Sequence, residues 1–133
     1  MQKPKILVVD DDPDLVKALR LRLRANNCEV VTASDGYSVI GAAQKERPDV
    51  IILDLGLPAG DGFVVLERLQ CSDTLSGIPV IVLTARDAQN NEERALKAGA
   101  AAFFQKPVDN EELLNVIRVS LPHQSASSAP LMS

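Results

Sequence analysis

The stretch Lys5-Ile6-Leu7-Val8-Val9-Asp10-Asp11-Asp12-Pro13 decides the fold. Residues 6–9 are apolar on consecutive rather than alternate positions, the pattern of a strand covered on both faces in a parallel sheet. The same chemistry returns at 29–33, 50–53 and 79–83, and more weakly at 101–104, where it rests on Phe103 and Phe104. The intervening segments have helical spacing. Leu15, Leu19 and Leu23 share one face after Pro13, which suits a helix first turn. Ser34 or Asp35 can cap a second helix that runs to about Glu46 and stops at Pro48. Asp61 can cap a third through Val64, Val65, Leu66 and Leu69, and a fourth covers roughly 88–98 before Gly99 ends it. Asp109-Asn110-Glu111-Glu112 has capping-box spacing ahead of Leu113, Leu114, Val116 and Ile117. Five βα units in succession, joined by short right-handed connections, predict an α/β fold: a parallel five-stranded sheet with helices on both faces.

Composition narrows the class. The 133 residues suit a single domain, able to bury roughly two-thirds of the surface its unfolded chain exposes. A hydrophobic fraction of 46% excludes intrinsic disorder. Fourteen Lys and Arg against 18 Asp and Glu, a net charge of −4, speak against a basic platform for nucleic acid. One His excludes a His-rich metal site, and the isolated Cys28 and Cys71 read as free thiols of a reducing cytosol. No apolar run reaches the roughly 20 residues of a membrane span. The short apolar stretch after Met1-Gln2-Lys3-Pro4 ends in acids, unlike a signal peptide. A cytoplasmic domain over 1–121 is the expectation. The Ser, Ala and Pro content of 122–133 is that of a flexible tail or a truncated linker.

In an open parallel sheet, function collects beyond the carboxyl ends of the strands. Here the first strand runs into Asp10, Asp11 and Asp12, the third into Asp54, the fourth into Thr84 and the fifth into Lys106-Pro107. Asp12, before Pro13, is accounted for as a helix cap, whereas Asp10 and Asp11 precede the cap. Asp54 interrupts Val50-Ile51-Ile52-Leu53 and is followed by Leu55, so its carboxylate should be largely buried and in need of a partner. Two like charges about 4 Å apart repel by roughly 4 kcal/mol at an effective dielectric near 20. Asp10, Asp11 and Asp54 on one pocket therefore require a cation, a lysine or a raised pKa. Carboxylates with a backbone carbonyl are hard oxygen ligands suited to Mg²⁺, with Mn²⁺ as a substitute, and Lys106 adds positive charge. A metal, an ammonium, a hydroxyl and a central carboxylate fit a phosphoryl group, with the carboxylate as nucleophile.

The blocks Ile6-Leu7-Val8-Val9-Asp10-Asp11-Asp12, Ile51-Ile52-Leu53-Asp54-Leu55-Gly56-Leu57-Pro58 with Gly60-Asp61-Gly62, Val82-Leu83-Thr84-Ala85 and Lys106-Pro107 resemble, in content and order, the receiver domain of two-component response regulators. The likeness extends to chemotaxis receivers and covers about 4–121. It implies a flavodoxin-like three-layer sandwich with strand order 2-1-3-4-5. It also implies roles. Asp54 accepts the phosphoryl group; Asp11 ligates Mg²⁺ directly and Asp10 mostly through water; the Gly56 carbonyl completes the protein ligands. Thr84 and Lys106 engage the phosphoryl oxygens, Thr84 and Phe103 form the switch, and the Lys106–Pro107 bond is cis. A histidine kinase or phosphotransfer protein is the donor. Output goes through the surface of the fourth helix, fifth strand and fifth helix, to a separate partner or to a C-terminal effector domain missing from this chain. A phosphorylation-dependent homodimer is compatible with the same surface. Neither direct nucleic-acid binding nor membrane insertion is expected.

Several residues have plainer readings. Gly56 serves a turn in Gly56-Leu57-Pro58-Ala59-Gly60 or leaves the site without a side chain over it. Arg86 is a solvated loop cation or a group controlling water access, and Phe103 is core filling or a switch. Asp61 and Gly62 read as a cap and a turn. An Asp-nucleophile phosphatase or phosphotransferase is the competing enzyme reading. Against it, the position two residues after Asp54 is Gly56 rather than a second Asp, and no insertion encloses a substrate. Asp54-Leu55-Gly56-Leu57-Pro58 is closer to DNA-binding regulators than to chemotaxis receivers, so the chain also reads as the N-terminal part of such a regulator.

Overall fold

The computed structural model describes residues 3–57 and 61–121. Pro58 and Gly60 of the turn after Leu57, and the tail at 122–133, lie outside the described residues. The elements alternate as expected: β1 (Lys5–Val9), α1 (Pro13–Ala25), β2 (Glu29–Ala33), α2 (Gly36–Glu46), β3 (Val50–Leu53), α3 (Gly62–Cys71), β4 (Val80–Thr84), α4 (Ala88–Lys97), β5 (Ala102–Gln105) and α5 (Asn110–Ser120). The strands form one sheet in the order β2-β1-β3-β4-β5, every neighbouring pair parallel.

Both of the last two strands begin one residue later than the apolar runs suggest. Pro79 has no N–H to give the ladder and contributes only its carbonyl, which accepts from Ile51. At the other end Thr84 stays in the ladder opposite Gln105, and its carbonyl accepts from the Lys106 N–H at 2.8 Å.

Consecutive apolar residues split between two cores, as burial on both faces requires. Leu7, Val9, Ile51, Leu53, Val80 and Val82 face the side of α2, α3 and α4; Ile6, Val8, Val50, Ile52, Ile81 and Leu83 face that of α1 and α5. Leu19 and Leu23 of α1 are buried on the second side and Leu15 is partly buried there. Phe103 packs on the first side and Phe104 on the second.

An aspartate caps the N-terminus of every helix: Asp12, Asp35, Asp61, Asp87 and Asp109 each accept a backbone N–H of the first turn. Each such cap is worth about 1 kcal/mol. Asp35, not Ser34, takes this role in α2, and Asp109 accepts from the Glu111 N–H at 2.8 Å. Gly99 ends α4 with φ of 109°, a conformation that favours glycine. Gly62 has a different use from the expected turn. It is the first residue of α3, and its N–H donates to the Leu55 carbonyl at 3.2 Å. A Cβ there would overlap the Leu55 backbone.

Cys28 is buried and Cys71 exposed, both as free thiols. Burial pushes the Cys28 thiol above its ordinary value, against a smaller pull downward from Arg118. Iodoacetamide should therefore alkylate Cys71 in the native protein and spare Cys28 until unfolding, read by peptide mass; equal labelling would contradict the burial. Gly62→Ala should lower stability by about 1–3 kcal/mol, because the obstructing atoms are backbone. A melting temperature equal to wild type would show that α3 can back away from Leu55.

Candidate functional site

Register builds the site. Val9 of β1 pairs with Leu53 of β3, so the next residue of each strand, Asp10 and Asp54, emerges side by side at the carboxyl edge. Backbone bonds carry this alignment past the strand ends: the Asp54 N–H donates to Val9 O at 3.0 Å and the Asp10 N–H to Ala33 O at 3.2 Å. Lys106 arrives from the far side because β5 pairs with β4 up to Thr84 and Gln105. The Lys106–Pro107 peptide is cis, as the resemblance implies.

The three groups meet. Lys106 Nζ lies 2.8 Å from Asp10 Oδ2 and 3.5 Å from Asp54 Oδ2. Asp10 and Asp54 are 5% and 7% exposed, so these carboxylates have few water partners, while Asp11 is exposed. Each buried acid is also held by a backbone N–H on its other oxygen. Asp12 donates to Asp10 Oδ1 at 2.9 Å and Gly56 to Asp54 Oδ1 at 3.0 Å. No pattern in the sequence marks these two donors, since any residue except Pro carries one. Among the described residues a Cβ at Gly56 would touch only Asp54 Oδ1, at 3.7 Å, so glycine keeps the space beside the acid open.

One carboxylate oxygen each from Asp10, Asp11 and Asp54 lies within 4.8 Å of the others. Three carboxylates against one ammonium leave a local excess of negative charge, and all the donors are oxygen. That set fits a hard divalent cation, with Asp10, Asp11 and Asp54 as the residues able to hold it.

Thr84 is 1% exposed, and its Oγ1 accepts the Arg86 N–H at 3.2 Å. Its hydroxyl is thus engaged within the β4–α4 connection. Arg86 itself is exposed, and Phe103 is half-buried. A cleft of about 370 Å³ opens beside Asp10 and Asp11, walled by Pro13, Thr32 and Ser34.

Burial pushes the Asp10 carboxyl above its ordinary value; Lys106 and the Asp12 N–H pull it back only in part, and Asp54 adds to the rise. Burial pulls the Lys106 ammonium down, but Asp10 and Asp54 outweigh it and leave it raised. The two shifts have opposite meanings for stability. Lys106 contributes stability at all pH below the ordinary lysine range and loses it above. Asp10 contributes only below the ordinary carboxylate range and loses it as pH rises through its raised folded value. With divalent ions removed, Asp10→Asn should melt at a higher temperature than wild type near pH 7, with the gap closing toward about pH 4. A variant that melts lower at both values would mean that the Lys106 ion pair outweighs the cost of burying the acid.

No helix among the described residues is long and apolar enough to cross a membrane. Residues 6–118 match the family of the response regulator receiver domain. The transcriptional regulatory protein KdpE of Mycobacterium tuberculosis is 40% identical over 123 residues, covering 92% of this chain and 53% of that protein. The chain thus spans about half the length of the curated regulators it matches. Among solved structures, a CheY-like response regulator receiver domain protein of Methanospirillum hungatei superimposes with TM-score 0.84 at 27% identity, covering 93% of this chain and 98% of that one. The receiver domain of the sensor histidine kinase PA1611 of Pseudomonas aeruginosa, solved with a magnesium ion coordinated in its active site cleft, gives 0.80 at 28% identity, covering 88% and 96%.

Proposed function

The chain belongs to the response regulator receiver domain family, and from that premise we propose that it is the phosphorylated switch of a two-component phosphorelay, with Asp54 as acceptor. The observation that carries the reading is the position of Asp54. It is a buried carboxylate at the end of β3, with a lysine on one oxygen, a backbone N–H on the other, and two more acids within metal-sharing distance.

An oxygen of the Asp54 carboxylate attacks the phosphorus of a phosphohistidine on a histidine kinase or a phosphotransfer protein. The new O–P bond forms as the P–N bond breaks, and the electron pair returns to the imidazole, which takes up a proton. The Gly56 N–H and Lys106 fix the direction of the attacking carboxylate, and Lys106 lies close enough to follow charge onto the phosphoryl oxygens. Asp10, Asp11, Asp54 and the Gly56 carbonyl would hold Mg²⁺, or Mn²⁺ in its place, which would supply further positive charge against those oxygens; the similar PA1611 receiver holds a magnesium ion in its active site cleft.

The switch follows from Thr84. Its hydroxyl oxygen accepts the Arg86 N–H, leaving the O–H to be donated to a phosphoryl oxygen as Thr84 moves toward Asp54, and the half-buried Phe103 follows inward. The population shifts toward a second arrangement of α4, β5 and α5. The domain is regulatory, assisting only its own phosphorylation and dephosphorylation.

Residues 1–121 form the receiver and 122–133 a linker or tail. Because transcriptional regulators twice its length are among its relatives, an effector domain beyond residue 133 is the favoured output. A separate partner protein and a phosphorylation-dependent homodimer use the same surface. Nucleic acid is contacted by the effector rather than by this acidic domain, and the protein works in the cytoplasm.

Intact mass after incubation with acetyl phosphate should show one phosphoryl adduct that needs Mg²⁺ and is absent from Asp54→Asn. An adduct surviving in the variant would move the acceptor elsewhere. Absence of any adduct in folded wild type, with an active donor, would leave a binding domain without the chemistry.

A further inference from the structure

Helix α4 is part of the output surface proposed above, and by burial it is the most weakly fastened helix among the described residues. Among the described residues it buries only Ala95, whereas α3 buries Gly62, Phe63, Val65, Leu66 and Leu69 and α5 buries three residues. Stabilisation by burial scales with apolar area, so hydrophobic packing alone holds α4 least. The helix therefore depends on polar ties to its neighbours.

Its two ends meet neighbours in different ways, by a hydrogen bond at one and by close packing at the other. At the N-terminus Gln105 Oε1 accepts the Ala88 N–H at 3.3 Å, which links α4 to the residue beside Lys106. At the C-terminus the Gly99 turn lies directly under the Gln70 side chain of α3. The middle of the helix is held by Arg94. Its guanidinium lies 3.7 Å from the centroid of the Phe63 ring, and Phe63 is 1% exposed. Arg94 makes none of the salt bridges found among the described residues, and the adjacent Glu93 is taken by Lys97 at 3.2 Å. The aromatic face is thus the contact of this cation, at a distance where attraction to the ring quadrupole is substantial.

Phe63 is rigidly placed in turn. It follows Asp61, whose carboxylate accepts the Phe63 N–H at 2.9 Å, and Gly62, pressed against the Leu55 backbone next to Asp54. We propose that Arg94 is a latch: stacked on Phe63, it holds α4 against α3 and sets how readily the connection from Thr84 to Ala88 leaves its resting position. The consequence for switching rests on the phosphorylation reading above; the latch itself does not. Thr84 cannot carry residues 85–87 toward Asp54 without pulling on a helix pinned at Arg94, so loosening the pin favours the shifted arrangement.

Hydrogen exchange of the unphosphorylated chain, read by mass spectrometry, tests the latch for wild type, Arg94→Met and Arg94→Lys. Methionine keeps an apolar stem without the charge, and lysine keeps a cation over the ring. The expected result is a loss of about fivefold or more in protection of the α4 peptides in Arg94→Met, with α1 and α5 unchanged and partial recovery in Arg94→Lys. Wild-type protection in Arg94→Met, or a loss shared evenly by all helices, overturns the latch. A parallel titration with fluoroberyllate and Mg²⁺ should show tighter binding to Arg94→Met; unchanged or weaker binding overturns the link to switching. If wild type binds no fluoroberyllate, the phosphorylation reading fails, while the exchange data still decide the latch.

Discussion

A single ammonium shared by two buried carboxylates governs this structure. Lys106 reaches Asp10 and Asp54 from the opposite side of β3, and without it the three clustered acids would have no cation bonded to them among the described residues. At 5% and 7% exposure neither acid can rely on water for compensation. The cost is only partly met, which is why Asp10 remains easier to protonate than a free aspartate. Incomplete neutralisation is useful here. A site fully balanced by lysines would have no affinity for a divalent cation, and one with no lysine would not keep its acids together in the cation's absence.

The scaffold's task is to bring these groups to one point and then stay out of the way. Register in the parallel sheet places Asp10 beside Asp54, and the continued pairing of β4 with β5 brings Thr84 and Lys106 to the same edge. Buried strands fix that edge from below with side chains on both faces. Glycine at position 56 leaves room beside Asp54, and glycine at position 62 lets α3 begin almost on top of Leu55. Rigidity is therefore concentrated in β1, β3 and the start of α3. The least buried helix is α4, which sets only Ala95 fully into the core among the described residues and meets its neighbours through Gln105 and Phe63.

The strands, the helices and their succession along the chain were readable because consecutive apolar residues and capping aspartates are local signals with direct physical causes, whereas the sheet order came from the family resemblance alone. Asp12, Asp61 and Asp109 could be assigned as caps from their neighbours alone, and Asp87 caps α4 by the same chemistry. Strand ends shifted by one residue where a proline withheld its donor and where a threonine stayed in the ladder, effects that depend on what the neighbouring strand offers. Among the site residues, charge made Asp10, Asp11, Asp54 and Lys106 conspicuous, since three acids at strand ends demand a counter-charge wherever they meet.

By itself, then, the sequence determined a parallel α/β sheet and the kinds of group delivered to its carboxyl edge, because burial patterns and strand-end residues are local. It could not determine distances. Which acid Lys106 would bond most closely, that the Gly56 and Asp12 N–H groups would clamp the two carboxylates, and that Gly62 is needed for contact rather than for a turn all depend on register and on packing between segments far apart in the chain. The stack of Arg94 on Phe63 is the extreme case. Each residue alone looks ordinary, a helix-surface cation and a core aromatic. Only the close approach of α3 and α4 turns the pair into an interaction, because a cation gains from a ring face only when the tertiary fold sets it there.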